Sequence, residues 1–215
     1  LAADNVAHNM VRTLFFSMGD ANKLKNRPKD VEKSEFKKIG ILGAGMMGAG
    51  IANVTAMAGL QVVLLDSTLE SAEKGKSYSE DLLNKAIKRK RMTEEKRDGI
   101  LGLIKPTVDY ADLDGCDMVI EAVFEDRTIK ADVTAKTEAV IAADAIFASN
   151  TSTLPITGLA EASARPANFI GLHFFSPVDK MPLVEIIMGE KTGDVALARA
   201  MDFVKRIRKT AVVVN

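Results

Sequence analysis

Apolar positions along the chain follow two kinds of pattern, and the two alternate. Val6, Met10, Val11, Leu14, Phe15 and Met18 recur at helical spacing and predict one helix over residues 1–19. A lone helix this short is marginal in water, so its stripe is expected to pack on something. Residues 20–36 turn polar and lysine-rich around Pro28, which is linker composition. Beyond Phe36, short apolar runs trade places with longer helical stretches. Strands are predicted at Lys38–Leu42, Gln61–Leu65, Asp117–Val123, Ala145–Ala148, Asn168–Phe174, Leu183–Met188 and Ala211–Val214. Helices are predicted at Met46–Ala58, Thr128–Ile141 and Ala196–Ile207. A short helix over Pro155–Ala162 would hold its proline in the first turn. Residues 69–103 form a long helical excursion after the second strand, broken near Met92–Thr93. Alternating strands and helices imply a mostly parallel sheet covered on both faces. The chain thus divides into a linker helix with its connecting segment, 1–36, and one globular unit, 37–215.

The first strand runs into Gly43-Ala44-Gly45-Met46-Met47-Gly48, and a helix opens there. A bare GxGxxG says little. Set after a strand, opening a helix and followed by a second strand that ends in Asp66, it has the context of a dinucleotide-binding turn. Gly43 permits the tight turn, Gly45 lets backbone approach a pyrophosphate, and Gly48 lets the helix pack on the strand. The phosphates would meet free N–H groups and the positive end of the helix dipole. Asp66 can accept hydrogen bonds from both hydroxyls of an adenosine ribose and would repel a 2′-phosphate. Ser67 and Thr68 beside it supply no cation, so NAD is expected rather than NADP. The fold class that follows is α/β, a Rossmann-type doubly wound sheet.

Composition narrows the partners. Lys+Arg and Asp+Glu each number 29, so the net charge is zero. Nucleic acid and anionic membranes both demand clustered positive charge, and neither is expected as the main partner. No apolar run reaches the roughly 18 residues of a spanning helix, and no signal-peptide pattern opens the chain. Cys116 is the one cysteine, which fits a reducing intracellular compartment and reads as inert packing. A bacterial cytoplasm is the expected location, with a peroxisomal or mitochondrial parent as the other reading. No Cys/His cluster has metal-ligand spacing, so no metal is expected. His8 reads as a surface residue.

Further motifs follow in order: Glu121-Ala122-Val123-Phe124-Glu125, Ser149-Asn150-Thr151-Ser152-Thr153, Gly171-Leu172-His173-Phe174-Phe175-Ser176-Pro177 and Met181-Pro182-Leu183-Val184-Glu185. With the glycine turn, they resemble the 3-hydroxyacyl-CoA dehydrogenases. The likeness is greatest to the dehydrogenase part of enzymes fused to an enoyl-CoA hydratase, and it spans about residues 37–215. It implies oxidation of an L-3-hydroxyacyl-CoA to the 3-ketoacyl-CoA with NAD⁺, in fatty-acid β-oxidation. It also implies His173 as general base, Glu185 as its carboxylate partner and Ser152 holding the reacting oxygen. Met47, Asp66, Val123, Glu125, Lys130 and Ser152 match cofactor-contacting positions, and Asn150 lines the same pocket. Residues 1–36 resemble the connector that follows a hydratase portion.

Residue chemistry supports the central pair. An imidazole with an unperturbed pKa near 6.5 suits proton abstraction. His173 and Glu185 each sit within an apolar run, where a buried polar group needs a partner, and each offers the partner the other lacks. Taken alone, His173 would read as a satisfied core histidine and Glu185 as a solvent-facing residue. Ser149–Ser152 would read as a polar turn and Lys130 as a surface lysine. The cations Lys85, Lys88, Arg89, Lys90, Arg91, Lys96 and Arg97 read either as a solvated face or as a site for coenzyme A phosphates. Two departures from the family pattern stand out. Ser176 replaces an asparagine, and the family's Pro-Gly-Phe segment, catalytic asparagine and helical domain follow beyond the position of Asn215. This chain is therefore expected to bind NADH while reducing acetoacetyl-CoA poorly until joined to that domain. The other readings are a dinucleotide-binding module without turnover and an NAD-dependent dehydrogenase of another hydroxy acid.

Overall fold

The structure, a computed structural model, describes residues 18–214 together with Asn9 and Arg12. His8 and nearly all of the stripe predicted over 1–19 lie outside the described residues. Helix α1 is Met18–Asn22. Eight strands form one sheet among the described residues: β1 (Lys38–Leu42), β2 (Gln61–Leu65), β3 (Ile104–Thr107), β4 (Met118–Glu121), β5 (Ile146–Ser149), β6 (Phe169–Phe174), β7 (Leu183–Ile187) and β8 (Thr210–Val214). Their spatial order is β3-β2-β1-β4-β5-β6-β7-β8. All pairings are parallel except β6 with β7. The remaining helices are α2 (Met46–Met57), α3 (Leu69–Lys88), α4 (Glu94–Gly102), α5 (Arg127–Glu138), α6 (Ile156–Leu159) and α7 (Asp194–Arg206). This is the expected doubly wound α/β fold, with its strand order reversing between β1 and β4.

Both faces of the sheet are buried, which is why its central strands read as unbroken apolar runs. Ile39 and Ile41 enter a core shared with Ile51 of α2 and Phe203 of α7. Leu42 faces the other side, with Val133 of α5 and Leu159 of α6. The glycine turn is fixed by sterics. Gly43 has φ +87°, and a Cβ there would stand 2.6 Å from the Ala122 carbonyl oxygen.

The pattern missed β3, and the reason is physical. Its four residues, Ile-Lys-Pro-Thr, hold an exposed Lys105 and Pro106. A proline is tolerated there because β3 is an edge strand. The 3₁₀ turn Tyr110–Leu113 also lacks an apolar signature. Elsewhere the ends shift. The predicted strand at Asp117 begins at Met118, and the Asp117 carboxylate accepts the Lys37 and Lys38 N–H groups instead. The predicted helix at Thr128 begins at Arg127, capped by Asp126, and ends at Glu138. Pro155 lies just before α6 rather than in its first turn, and Ala160–Ala162 continue as a 3₁₀ turn.

The described part of the linker is pinned to the globular unit. The Arg27 guanidinium donates to both carboxylate oxygens of Asp202 on α7, at 2.7 and 2.8 Å, and to three backbone carbonyls. Phe36 meets the Phe203 ring edge-on at 5.7 Å.

Candidate active site

Parallel strands β1, β4, β5 and β6 all end on one edge of the sheet, and the candidate site lies along that edge. An open cleft of about 1110 Å³ runs across it from Tyr78 on α3 to Lys136 on α5. The glycine turn forms its floor. Gly45 has no side chain to cap α2, and a Cβ there would meet nothing within 4 Å, so the cleft reaches the backbone. Gly48 does different work. A Cβ on it would stand 1.8 Å from the Gly43 carbonyl oxygen, so its bareness is what lets α2 start against β1. Asp66, at the end of β2, accepts the Ala44 N–H at 2.6 Å through one oxygen and the Ser67 N–H at 2.6 Å through the other. Its carboxylate is thereby aimed along the cleft wall. Val123 and the exposed Met46 and Phe124 add apolar wall.

Glu121, at the end of β4, is 1% exposed, and Lys130 on α5 is 2% exposed. Lys130 donates to both Glu121 oxygens at 2.8 and 2.9 Å and lies 3.5 Å from Glu125. The Ser149 hydroxyl also donates to Glu121. Glu125 in turn accepts the Thr151 hydroxyl at 3.0 Å and the Ser152 N–H at 3.1 Å. Asn150 faces the other way, accepting the Phe174 N–H at 2.8 Å. The turn after β5 is thus tied to β4 on one side and to β6 on the other.

The pair singled out in the sequence meets. His173 and Glu185 are direct cross-strand partners in the antiparallel β6–β7 ladder. His173 Nδ1 lies 2.8 Å from Glu185 Oε2, with both side chains partly exposed. Facing a carboxylate, Nδ1 carries a proton, which leaves Nε2 able to accept one. The Phe175 ring packs against the imidazole at 4.5 Å. The loop beyond is held firmly. Lys209 donates to the Val178 and Met181 carbonyls at 2.6 and 2.5 Å, and burial holds its amine below the ordinary lysine range. The Tyr78 hydroxyl donates to Asp179 at 3.2 Å, and the Ser176 hydroxyl donates to the Met46 sulfur at 3.7 Å.

Most predicted positions therefore gather along one edge, with two differences of placement. Met46 lines the cleft, while Met47 packs on the core and offers only its backbone from the first turn of α2. Lys130 is sealed behind Glu125 rather than exposed on a helix surface. Sequence reasoning did not single out Glu121. A carboxylate ending the run Met118-Val119-Ile120 raises the same question of a missing partner that flagged Glu185. Among the described residues, no group of three or more His, Cys, Asp or Glu is placed to hold a metal ion.

Comparison with known proteins decides the family. The model of the 3-hydroxyacyl-CoA dehydrogenase NAD-binding domain matches residues 38–215. The chain belongs to this family. Among solved structures, the domain is similar to (S)-3-hydroxybutyryl-CoA dehydrogenase from Ralstonia eutropha, at 37% identity and a TM-score of 0.81. That match covers 84% of this chain and 64% of the other. It is also similar to 3-hydroxybutyryl-CoA dehydrogenase from Escherichia coli K12, at 30% identity and a TM-score of 0.81, over 84% of this chain and 38% of that one. The dehydrogenase part of a multifunctional enzyme from C. elegans matches at 30% identity and a TM-score of 0.76, over 86% of this chain and 42% of that one. The chain thus spans less than two thirds of the length of each of these relatives. As a member of this family it is an NAD-binding domain. The open space over Gly45 and the carboxylate of Asp66 fit that cofactor's diphosphate and adenosine ribose. No described helix is long and apolar enough to cross a membrane.

Proposed function

We propose that this chain is the cofactor-binding and base-bearing part of an enzyme that oxidises L-3-hydroxyacyl-CoA to 3-ketoacyl-CoA in fatty-acid β-oxidation. The single observation that carries the reading is the His173–Glu185 pair, 2.8 Å apart across the β6–β7 ladder. Oxidising the C3 alcohol removes a hydride and a hydroxyl proton. When bound, NAD⁺ supplies the hydride acceptor. His173 takes the proton at Nε2. Glu185 holds the ring through Nδ1 and stabilises the imidazolium as it forms, the base-plus-orienter logic of a triad without a covalent nucleophile.

Ser152, exposed in the turn after β5, offers its hydroxyl to the reacting oxygen. The backbone of the glycine turn, with Met47 in the first turn of α2, holds the diphosphate. Asp66 takes the adenosine ribose, and Val123, Glu125 and Asn150 border the nicotinamide end. The cations between Lys85 and Arg97, at the corner of α3 and α4, are the candidates for coenzyme A phosphates. The parent chain would also carry a hydratase portion and a helical domain; similarity to the dehydrogenase part of a multifunctional enzyme supports a parent with more than one activity.

The test has two arms. NADH fluorescence titrations on the chain should show saturable binding, with NADPH at least about tenfold weaker because Asp66 repels its 2′-phosphate. At its full natural length the protein should reduce acetoacetyl-CoA and leave free acetoacetate almost untouched. Equal turnover of the free acid would move the assignment to another hydroxy-acid dehydrogenase.

A further inference from the structure

Behind the cleft wall lies a buried ion pair whose own side chains do not line the cleft. Glu121 and Lys130 are 1% and 2% exposed, so neither reaches the cleft. Burying two charges is expensive, and apolar side chains of the same volume are often at least as stable. Stability is thus a weak reason for the pair. Its connections give a better one. Glu121 takes the Lys130 ammonium, the Ser149 hydroxyl and the Val123 N–H, and its backbone carbonyl takes the Asn150 N–H. Lys130 then stands 3.5 Å from Glu125, whose two oxygens hold Thr151 and Ser152. One ammonium is shared by two carboxylates, one sealed and one 40% exposed.

We propose that Glu121 is a positioning residue for the nicotinamide end of the site: through Lys130 it holds the Glu125 carboxylate against the Thr151–Ser152 turn. Without Glu121 the ammonium is drawn to Glu125 alone and pulls it from the turn. Without Lys130, Glu125 loses its cation and turns toward solvent. Glu121 therefore acts on the rim from behind, through Lys130 and through the Val123 and Asn150 N–H groups that it holds. The inference rests on the reading that Ser152 and His173 receive the nicotinamide and the reacting oxygen.

The test is the double variant Glu121→Gln with Lys130→Met, which removes both buried charges at once and so avoids an orphan. NADH and ADP are titrated into it, since ADP has the adenosine and both phosphates but no nicotinamide or second ribose. The chain should stay folded, lose about five- to tenfold in NADH affinity and keep ADP affinity within about twofold. Parallel losses for NADH and ADP, or no loss at all, would each overturn the proposal. Should the double variant not fold, Ser149→Ala decides by the same NADH-to-ADP comparison, with a smaller selective loss expected. Failure of the parent reading looks different. There, His173→Gln would leave turnover unchanged, whatever the strut variants do.

Discussion

Two glycines three residues apart separate binding from folding. Gly45 faces open cleft, and Gly48 abuts the Gly43 carbonyl. Gly45→Ala should therefore keep its melting temperature, with a cost within about 0.5 kcal/mol. It should still weaken NADH binding, because the new methyl occupies the approach to the diphosphate. Gly48→Ala should destabilise the domain by about 1–3 kcal/mol, since backbone has to shift. Melting curves and NADH titrations on both variants check this, and a large stability loss at Gly45 would contradict the placement. Cys116 gives a second test at this scale. Burial pushes its thiol up to about 12, so the native protein should not react with a thiol reagent at pH 8. One thiol should appear on unfolding, and reaction of the native protein would mean that the core around β4 opens readily.

At the scale of elements, Arg27 and Asp202 join the connecting segment to α7. Burial alone would raise the Asp202 carboxyl, but hydrogen bonds from Arg27 and the Ser34 N–H outweigh it and hold the group below its ordinary 3.8. A depressed carboxyl stabilises the fold fully above that ordinary value and loses its effect as pH falls through the folded one. Arg27→Ala should cost about 1–3 kcal/mol at pH 7 by leaving a buried charge unpaired. The gap between variant and wild type should narrow as pH falls from 3.8 through the lower value that Asp202 has in the fold. Denaturant unfolding at pH 7 and pH 3 measures it, and a gap that does not change with pH would rule out the charge account. Elements were legible in the sequence where burial on both faces wrote apolar runs, as in β1 and β2. They were not legible at β3, where an edge strand with Lys105 and Pro106 carries no such run. The pinned segment around Arg27 escaped for another reason: its partner, Asp202, lies 175 residues away.

At the scale of the whole molecule, the sheet's strand order brings distant motifs to one edge. The glycine turn, the Glu121–Glu125 stretch, the Ser149–Ser152 turn and the His173–Glu185 pair lie up to 142 residues apart in sequence, counting from Gly43 to Glu185. Their roles were legible only through the family resemblance, and the sharing of Lys130 between two carboxylates was not legible at all. That sharing depends on how α5 sits against β4 and β5, which no local pattern encodes.

The most direct measurement is steady-state oxidation of a 3-hydroxyacyl-CoA by the full-length protein and by its His173→Gln variant, alongside NADH titrations of both. Loss of the base should lower kcat by about 10²–10⁴-fold while NADH affinity stays within about twofold. An unchanged kcat, or a fall in NADH affinity that accounts for the lost rate, would contradict the account.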